Sequence, residues 1–357
     1  MPLPFVLAGL AAAAGAAGVI KGGKAISDNS KAKELISNAQ YIYDSAQDRL
    51  ESQRQYTAND LNTLGEVKLN SWSKEIGRFV DLFGKFKKVD IQGKIELNSN
   101  LKMSNTNNIK NMQSASLKAT EIVKGGVASL GAGALAGIAS YGGAMMFASA
   151  STGTAIATLS GAAATNATLA WFGGGSLAAG GAGMAGGTLV LGGIVAGPVL
   201  AVAGFIMAAK AEENLAKAKK TYSEAENAAE RMNTMVTFLE RVSRISNNYK
   251  DFLVKFGYRF SPILSELDNV YNEALKEQEK YFGNKIRKSF GLRIKIDYRK
   301  LTQSQQRVLH ISWLMAQILY KVLAAPLLDK NGDIVNDAER ILIEAKDADN
   351  NLIEANV

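Results

Sequence analysis

The sequence predicts a mainly α protein in which long coiled-coil helices flank a glycine-rich apolar helical hairpin, with a small basic α/β module at the C-terminal end. Two observations lead to this fold class. Residues 125–209 contain no Asp, Glu, Lys, Arg or His, and they hold 21 of the 34 glycines of the chain. On both sides of this stretch, apolar residues recur at alternating intervals of three and four, which is the spacing of a coiled-coil seam.

The order of these patterns predicts five segments. They are an apolar N-terminal helix (1–26), a coiled-coil stalk with a short β-like insertion near 90–105 (27–124), the glycine-rich hairpin (125–209), a second coiled-coil helix (210–260), and a basic helical module with a short hairpin and an acidic tail (261–357). The first apolar run, Leu3 to Ile20, is followed by Lys21 and Lys24. It is therefore interpreted as an uncleaved helix whose cytoplasmic side lies near Lys21.

Three apolar seams define the coiled-coil helices. The clearest follows the hairpin and contains Leu215, Ala218, Tyr222, Ala225, Ala229, Met232, Val236 and Leu239. The stalk begins with Ala32, Leu35, Ala39, Ile42 and Ala46 and continues in a bulkier seam of Trp72, Ile76, Phe79, Phe83 and Phe86. Gly65 and Gly77 are candidate helix breaks. If the N-terminal helix and the hairpin share one end of the molecule, helices 27–64 and 210–250 run side by side and roughly parallel.

The C-terminal module carries several local signals. Ser261-Pro262 predicts the start of a helix, with proline at its first position. Thr302 and Gln305 predict a capping box at the start of another. Asn331-Gly332 predicts a hairpin turn. Residues 337–345 predict a last short helix with a frayed acidic end. A short strand is predicted by alternating apolar residues, which are Leu292, Ile294, Ile296 and Tyr298.

The hairpin has two apolar arms, Val127 to Ala150 and Leu177 to Ala208. Each arm reaches the roughly 20 residues that a helix needs to cross a bilayer. Small residues at helical spacing allow helices to approach closely in lipid. The residues assigned to such a glycine zipper are Gly133, Gly137, Gly186, Gly193, Gly197 and Gly204. The alternative is a hairpin sequestered in a protein core.

The charge of the chain is unevenly distributed. The formal net charge is +8, but residues 329–357 contain eight acidic and three basic residues, so the rest of the chain carries +13. A basic body suits anionic partners. Anionic lipid headgroups are the predicted partner of Lys285, Arg287, Lys288, Arg293 and Lys295. Nucleic acid is a less economical partner for this stretch, and a solvated face without a partner is the third interpretation.

The sequence predicts no enzyme activity, no cofactor and no metal site. Cysteine is absent. Gly18 to Lys24 nearly matches a phosphate-binding loop, but Ala25 stands where a hydroxyl is needed. Gly181 to Gly186 matches a dinucleotide fingerprint, but without the required strand and helix around it. Asp329 to Asp333 begins like a calcium loop but has its glycine in the wrong place. His310, the single histidine, has no evident acid–base partner and is interpreted as a packed or surface residue.

Two runs carry a resemblance to known proteins. Residues 164–205 read ATNATLAWFGGGSLAAGGAGMAGGTLVLGGIVAGPVLAVAGF, and the chain opens with MPLPFVLAGLAAAAGAAGV. They resemble a family of largely uncharacterised bacterial glycine-rich membrane-hairpin and coiled-coil proteins, some loosely labelled "chemotaxis protein". This family implies no catalytic residues. The arrangement of an apolar hairpin between amphipathic helices is also distantly similar to apolipoprotein L and pore-forming colicins, in architecture only.

These observations predict a helical protein that inserts into the bacterial inner membrane and permeabilises or remodels it, with its coiled coil in the cytoplasm. It is expected to form a homo-oligomer, and a toxin or antiviral defence effector is the expected class. The alternative is a membrane-anchored coiled-coil scaffold or sensor without pore activity. A basic protein associated with nucleic acid is the third hypothesis.

Overall fold

The structure, a computed structural model, describes residues 22–89, 107–126, 132–141, 215–279, 294–329 and 333–354. Its helices are α1 (Gly22–Ser71), α2 (Gly77–Phe83), α3 (Asn107–Gly125), α4 (Ala132–Tyr141), α5 (Leu215–Glu279), α6 (Gln303–Ala324) and α7 (Asp337–Glu354). Two short strands, β1 (Phe86–Lys87) and β2 (Ile296–Asp297), a π-helical turn (Trp72–Ile76) and a 3-10 helical turn (Tyr298–Lys300) complete the regular structure of these residues. The prediction of a mainly α protein is confirmed.

Several predictions concern residues outside the described part of the chain. They are the N-terminal helix at 3–20, the β-like insertion near 90–105, the second arm of the hairpin with its four glycines, and the basic residues from 285 to 293. Contacts divide the chain into two compact units, residues 1–57 with 192–241 and residues 58–191 with 242–357. The long helices α1 and α5 each contribute to both units.

In the first unit, one face of α1 packs against one face of α5. The buried residues of this contact are Ala39, Tyr43, Ala46 and Leu50 from α1, with Ala225, Ala228, Ala229, Met232 and Leu239 from α5. The buried hydroxyl of Thr57 donates a hydrogen bond of 3.1 Å to the carbonyl oxygen of Leu239. Both faces contain residues of the predicted seams, because residues three and four apart lie on one side of a helix. Supercoiling of the pair stays a prediction.

In the second unit, the first long helix passes through both candidate breaks. α1 continues beyond Gly65, and a π-helical turn (Trp72–Ile76) joins it to α2, which starts at Gly77. The bulky seam finds its partners here. The ring of Phe79 lies 6.3 Å from that of Phe260 in α5 and 6.2 Å from that of Trp313 in α6. Glycine in a helix costs only about 1 kcal/mol, so tertiary packing of this kind overrides it.

The first and fifth helices run in the same direction in the second unit. The side chain of Ser243 donates a hydrogen bond to Asp60, the amine of Lys68 lies over the ring of Tyr249, and Phe79 follows against Phe260. Residue numbers therefore increase together along both helices. This is the direction that the sequence predicts for helices 27–64 and 210–250, whose coiled-coil pairing stays a prediction.

The fifth helix is longer than expected, because Ser261-Pro262 does not interrupt it. α5 spans 65 residues with Pro262 inside. A proline removes the hydrogen bond to the carbonyl four residues earlier, here that of Tyr258. The side chains of both residues are exposed, that of Tyr258 to 79%. The unpaired carbonyl therefore lies on the solvent side of the helix, where water can satisfy it.

The predicted short strand is present but joins a distant segment. β2 pairs in parallel with β1, with Phe86 opposite Ile296 and Lys87 opposite Asp297. The predicted capping box of α6 is confirmed, since the Thr302 and Gln305 side chains bond each other's backbone N–H groups. An antiparallel bridge joins Leu328 to Ile334, and the predicted turn at Asn331-Gly332 lies outside the described residues.

The last helix extends well past the predicted end at residue 345. α7 reaches Glu354, because Ala348 and Leu352 continue its buried face. Ion pairs attach it to the rest of the unit. The carboxylate of Glu344 lies 2.6 Å from the amine of Lys321, which lowers the pKa of Glu344. Asp349 pairs with Arg259, although burial raises the pKa of Asp349.

The prediction of a membrane-inserting, pore-forming protein of the bacterial inner membrane is wrong. Among the helices in the described ranges, none has both the length and the apolarity to cross a bilayer. Of the uncharged segment, the structure describes Gly125, Gly126 and the 10 residues of α4. Its buried residues Gly137, Ile138, Ala139 and Ser140 pack against protein instead. The small uncharged side chains of this helix thus serve close contact within the second unit.

Candidate functional site

The fourth helix lies directly on the first helix at Gly65. A Cβ atom at this position would come within 2.6 Å of the carbonyl carbon of Leu135 and 3.0 Å of its Cα, and closer still to its oxygen. Only glycine leaves room for backbone at this distance. Gly65 is therefore the contact point between α1 and α4.

A buried lysine lies one turn further along the first helix. Lys68 has no exposed surface, because it occupies the apolar face of α1 between Leu64 and Trp72. Its amine donates hydrogen bonds of 3.0 Å to the carbonyl oxygen of Ala139 in α4 and 3.0 Å to that of Ala325, the residue that ends α6. The amine also lies 5.5 Å from the centre of the Tyr249 ring. We call Gly65, Lys68, Ala139, Tyr249 and Ala325 the Lys68 site.

The last described turn of α4 and the C-cap residue of α6 meet at this amine. The last carbonyl groups of a helix lack partners within the helix and carry its negative dipole end. Lys68 satisfies one such group from α4 and one from α6. The backbone N–H groups of Leu327 and Leu328 satisfy the next carbonyl of α4, that of Ser140, at 2.6 and 3.0 Å. The end of α4 is thus held by residues distant in sequence.

Burial lowers the pKa of the Lys68 amine to about 7. Among the described residues, no carboxylate lies within ion-pair distance of it, so desolvation of the charged form is uncompensated by a counter-charge. The two helix dipoles and the face of the Tyr249 ring favour the cation and act in the opposite direction. Both the charged and the neutral amine carry enough N–H groups to donate to both carbonyls.

Tyr249 connects the Lys68 site to the last helix. Its ring is fully buried, and its hydroxyl donates a hydrogen bond of 2.6 Å to the carbonyl oxygen of Ala338 in the first turn of α7. Burial also raises the pKa of this hydroxyl, so it stays protonated and able to donate.

Replacing Tyr249 with phenylalanine is expected to lower the free energy of unfolding of the second unit by about 1 kcal/mol. The ring still fills its place, but the carbonyl of Ala338 keeps only its hydrogen bond within α7 and loses the one from Tyr249. Hydrogen exchange should rise at the start of α7. Tyr258→Phe in the same helix is the matched control, since that tyrosine is 79% exposed and its loss should change nothing. Equal effects of the two changes would show that the bond to Ala338 does not stabilise α7.

The residues predicted from the sequence do not form this site. Gly133 and Gly137 lie in α4, and Gly137 is buried. Lys295 is exposed next to β2. The other predicted residues lie outside the described ranges, and they are Gly186, Gly193, Gly197, Gly204, Lys285, Arg287, Lys288 and Arg293.

His310 and a cleft between α5 and α6 do not add a second candidate site to the described part of the chain. His310 is buried, and its Nε2 lies 2.9 Å from the hydroxyl of Tyr298, so it is a packed residue as expected. A cleft of about 480 Å³ lies between α5 and α6. Glu266, Glu273 and Arg307 line it together, so its charges are mixed rather than convergent on one ligand type.

Lys68 belongs to no known chemical motif, but its position in the sequence is unusual. Lys68 comes four residues after Leu64 and four before Trp72, so it continues an apolar helical face with a charged residue. Lysine is almost never fully buried unless it has specific partners. The interruption of a seam by one lysine therefore indicates a site, although its two carbonyl partners are visible only in the tertiary structure.

Comparisons of this chain with protein-family models, with curated proteins and with solved structures find no match. The resemblance to bacterial glycine-rich hairpin proteins therefore stays a prediction.

Proposed function

We propose that this protein is a non-catalytic helical scaffold whose second unit docks and releases the beginning of the uncharged, glycine-rich segment. The observation that supports the proposal is the hydrogen bond from the buried Lys68 amine to Ala139 in α4. α4 lies within the uncharged stretch 125–209, and its contacts at Gly65, Lys68 and Leu327 all come from outside that stretch. The residues of the second unit outside this stretch therefore form the surface on which α4 docks.

Holding α4 in place with a buried lysine requires the removal of water from its amine, which costs free energy. An apolar side chain of similar size would avoid desolvating an amine, but it would leave the carbonyls of Ala139 and Ala325 without this donor. Lys68 recovers its hydration when α4 leaves, which offsets part of the loss of its hydrogen bond to Ala139. Buried polar groups of this kind are suited to a contact that forms with a defined geometry and also opens. The amine cannot act on a substrate in the docked state, because it has no exposed surface.

The test is hydrogen exchange of α4 in the full-length Lys68→Met variant at a single pH near 7. Methionine has a similar size but leaves the carbonyls of Ala139 and Ala325 without their donor, at a cost of about 1–3 kcal/mol each. Exchange in residues 132–141 is expected to rise roughly tenfold or more. Cleavage by chymotrypsin after Tyr141 provides a second readout of the same opening.

Lys110→Met is the matched control, because Lys110 is an exposed lysine of α3. It should leave exchange of α4 unchanged. If Lys68→Met also leaves α4 as protected as in the wild type, the docking role of Lys68 is wrong.

A further inference from the structure

A second feature of this unit is a cluster of exposed basic residues around the two short strands. Pairing of β1 with β2 brings together two segments about 200 residues apart in sequence. The exposed bases of these segments are Lys87, Lys88, Lys295, Arg299 and Lys300, which we call the strand-pair basic patch. Lys85 is not part of it, because it is half-buried, with its amine between Asp81 and Asp268.

Asp297 organises the centre of this patch. Its carboxylate receives two hydrogen bonds from the guanidinium of Arg299, at 3.1 and 2.9 Å, and lies 3.5 Å from the amine of Lys88. The backbone of Lys88 has a φ of 57°, a left-handed conformation that is rare for a residue other than glycine. Arg299 and Lys88 nevertheless remain 64% and 58% exposed. One buried acid thus orients two cations while their outer surfaces stay open to solvent.

The patch presents charge without exposed aromatic surface. Phe86 and Tyr298, the aromatic residues of the two segments, are each only 5% exposed. Proteins that bind single-stranded nucleic acid stack its bases on exposed aromatic rings, so this patch does not suit a single strand. Lysine is depleted from the centres of protein–protein interfaces, whereas four of the five patch residues are lysines. Phosphate groups, by contrast, are well matched by lysine amines acting as point charges.

We propose that the strand-pair basic patch binds the phosphate backbone of double-stranded nucleic acid, without selecting a base sequence. A duplex carries about one negative charge per 1.7 Å of its axis, so several lysines on one surface contact it together. The guanidinium of Arg299 is bound to Asp297, and the other four patch residues are lysines, which contact phosphates as point charges. The proposal is independent of the Lys68 site, because it rests on different residues.

The experiment measures binding of the full-length protein to a mixed-sequence DNA duplex of about 20 base pairs by fluorescence anisotropy, between about 50 and 200 mM salt. The test variant carries Lys87→Gln, Lys88→Gln, Lys295→Gln and Lys300→Gln, and it keeps Arg299 so that Asp297 stays paired. Its affinity is expected to be at least about tenfold lower than that of the wild type. The slope of log K against log salt should become shallower by about 0.9 for each phosphate that the variant no longer neutralises.

The control variant carries Lys31→Gln, Lys33→Gln, Lys110→Gln and Lys346→Gln. These lysines are exposed elsewhere, and both variants lower the formal net charge from +8 to +4. The control should bind the duplex nearly as well as the wild type. Equal losses in both variants, or no duplex binding by the wild type, would overturn the proposal. So would a loss confined to binding of anionic vesicles or of polyglutamate, which would assign the patch to another partner.

Discussion

Replacing Gly65 with alanine is expected to lower the free energy of unfolding of the second unit by about 3 kcal/mol, the upper end of the usual cost of overpacking. The new Cβ would lie within 2.6 Å of the carbonyl carbon of Leu135. The atoms it meets belong to backbone and cannot rotate away, so α4 as a whole has to move. The shift should also lengthen the bond from Lys68 to Ala139. Urea unfolding followed by tryptophan fluorescence measures the loss, and hydrogen exchange in residues 132–141 locates it.

Gly77→Ala provides the matched control. Gly77 begins the next helical segment of the same chain region, and a Cβ there would have its nearest neighbours at 3.7 and 3.8 Å, which is ordinary contact. Alanine favours helix over glycine by about 1 kcal/mol, so this variant should be as stable as the wild type or slightly more stable. A Gly65→Ala protein that matches Gly77→Ala in stability would show that α4 does not pack closely on α1.

The stability that Lys68 contributes is expected to depend on pH. Its pKa is about 7 in the folded protein and about 10.4 in an unfolded chain. Between these two values the unfolded state binds more protons than the folded state, so stability rises with pH through this window. Below pH 7 the amine is protonated in both states, and its contribution stays constant at its lowest level. The stability of the wild type relative to Lys68→Met should therefore grow by about 2 kcal/mol from pH 7 to pH 9.

Urea unfolding of both proteins at several pH values measures this difference, and other groups that titrate alike in both proteins cancel from it. The wild type minus Lys110→Met should give a flat line, because Lys110 is exposed. A flat line for Lys68 as well would mean that its amine is hydrated in the folded protein, and the docking model would lose its electrostatic basis.

The sequence by itself determined the helical character of the protein and the buried faces of its long helices. Apolar residues at intervals of three and four lie on one side of a helix whatever surrounds it, so the seams through Ala39 in α1 and Ala225 in α5 correctly predicted buried faces. The capping box at Thr302 could also be predicted from the sequence, because its hydrogen bonds join residues three apart. Local periodicity and local hydrogen bonds thus sufficed for these elements.

Only the tertiary structure decided where the special residues act. Gly65 reads as a helix break in the sequence, yet it is the place where the backbone of α4 approaches. Lys68 reads as an ordinary charge, yet it joins two helix ends at positions 139 and 325. The strand around Ile296 pairs with Phe86, not with a neighbour in sequence. These properties depend on atoms distant along the chain, so no local pattern contains them.

The same limit explains the wrong membrane prediction. A short run of Gly, Ala and Ser without charges permits close approach of a neighbouring backbone, and this property serves packing in lipid and packing on a protein surface equally. The composition of a helix shows that a neighbour can pack closely on it. Which neighbour packs there depends on the rest of the chain. For α4 that neighbour is α1, at Gly65 and Lys68.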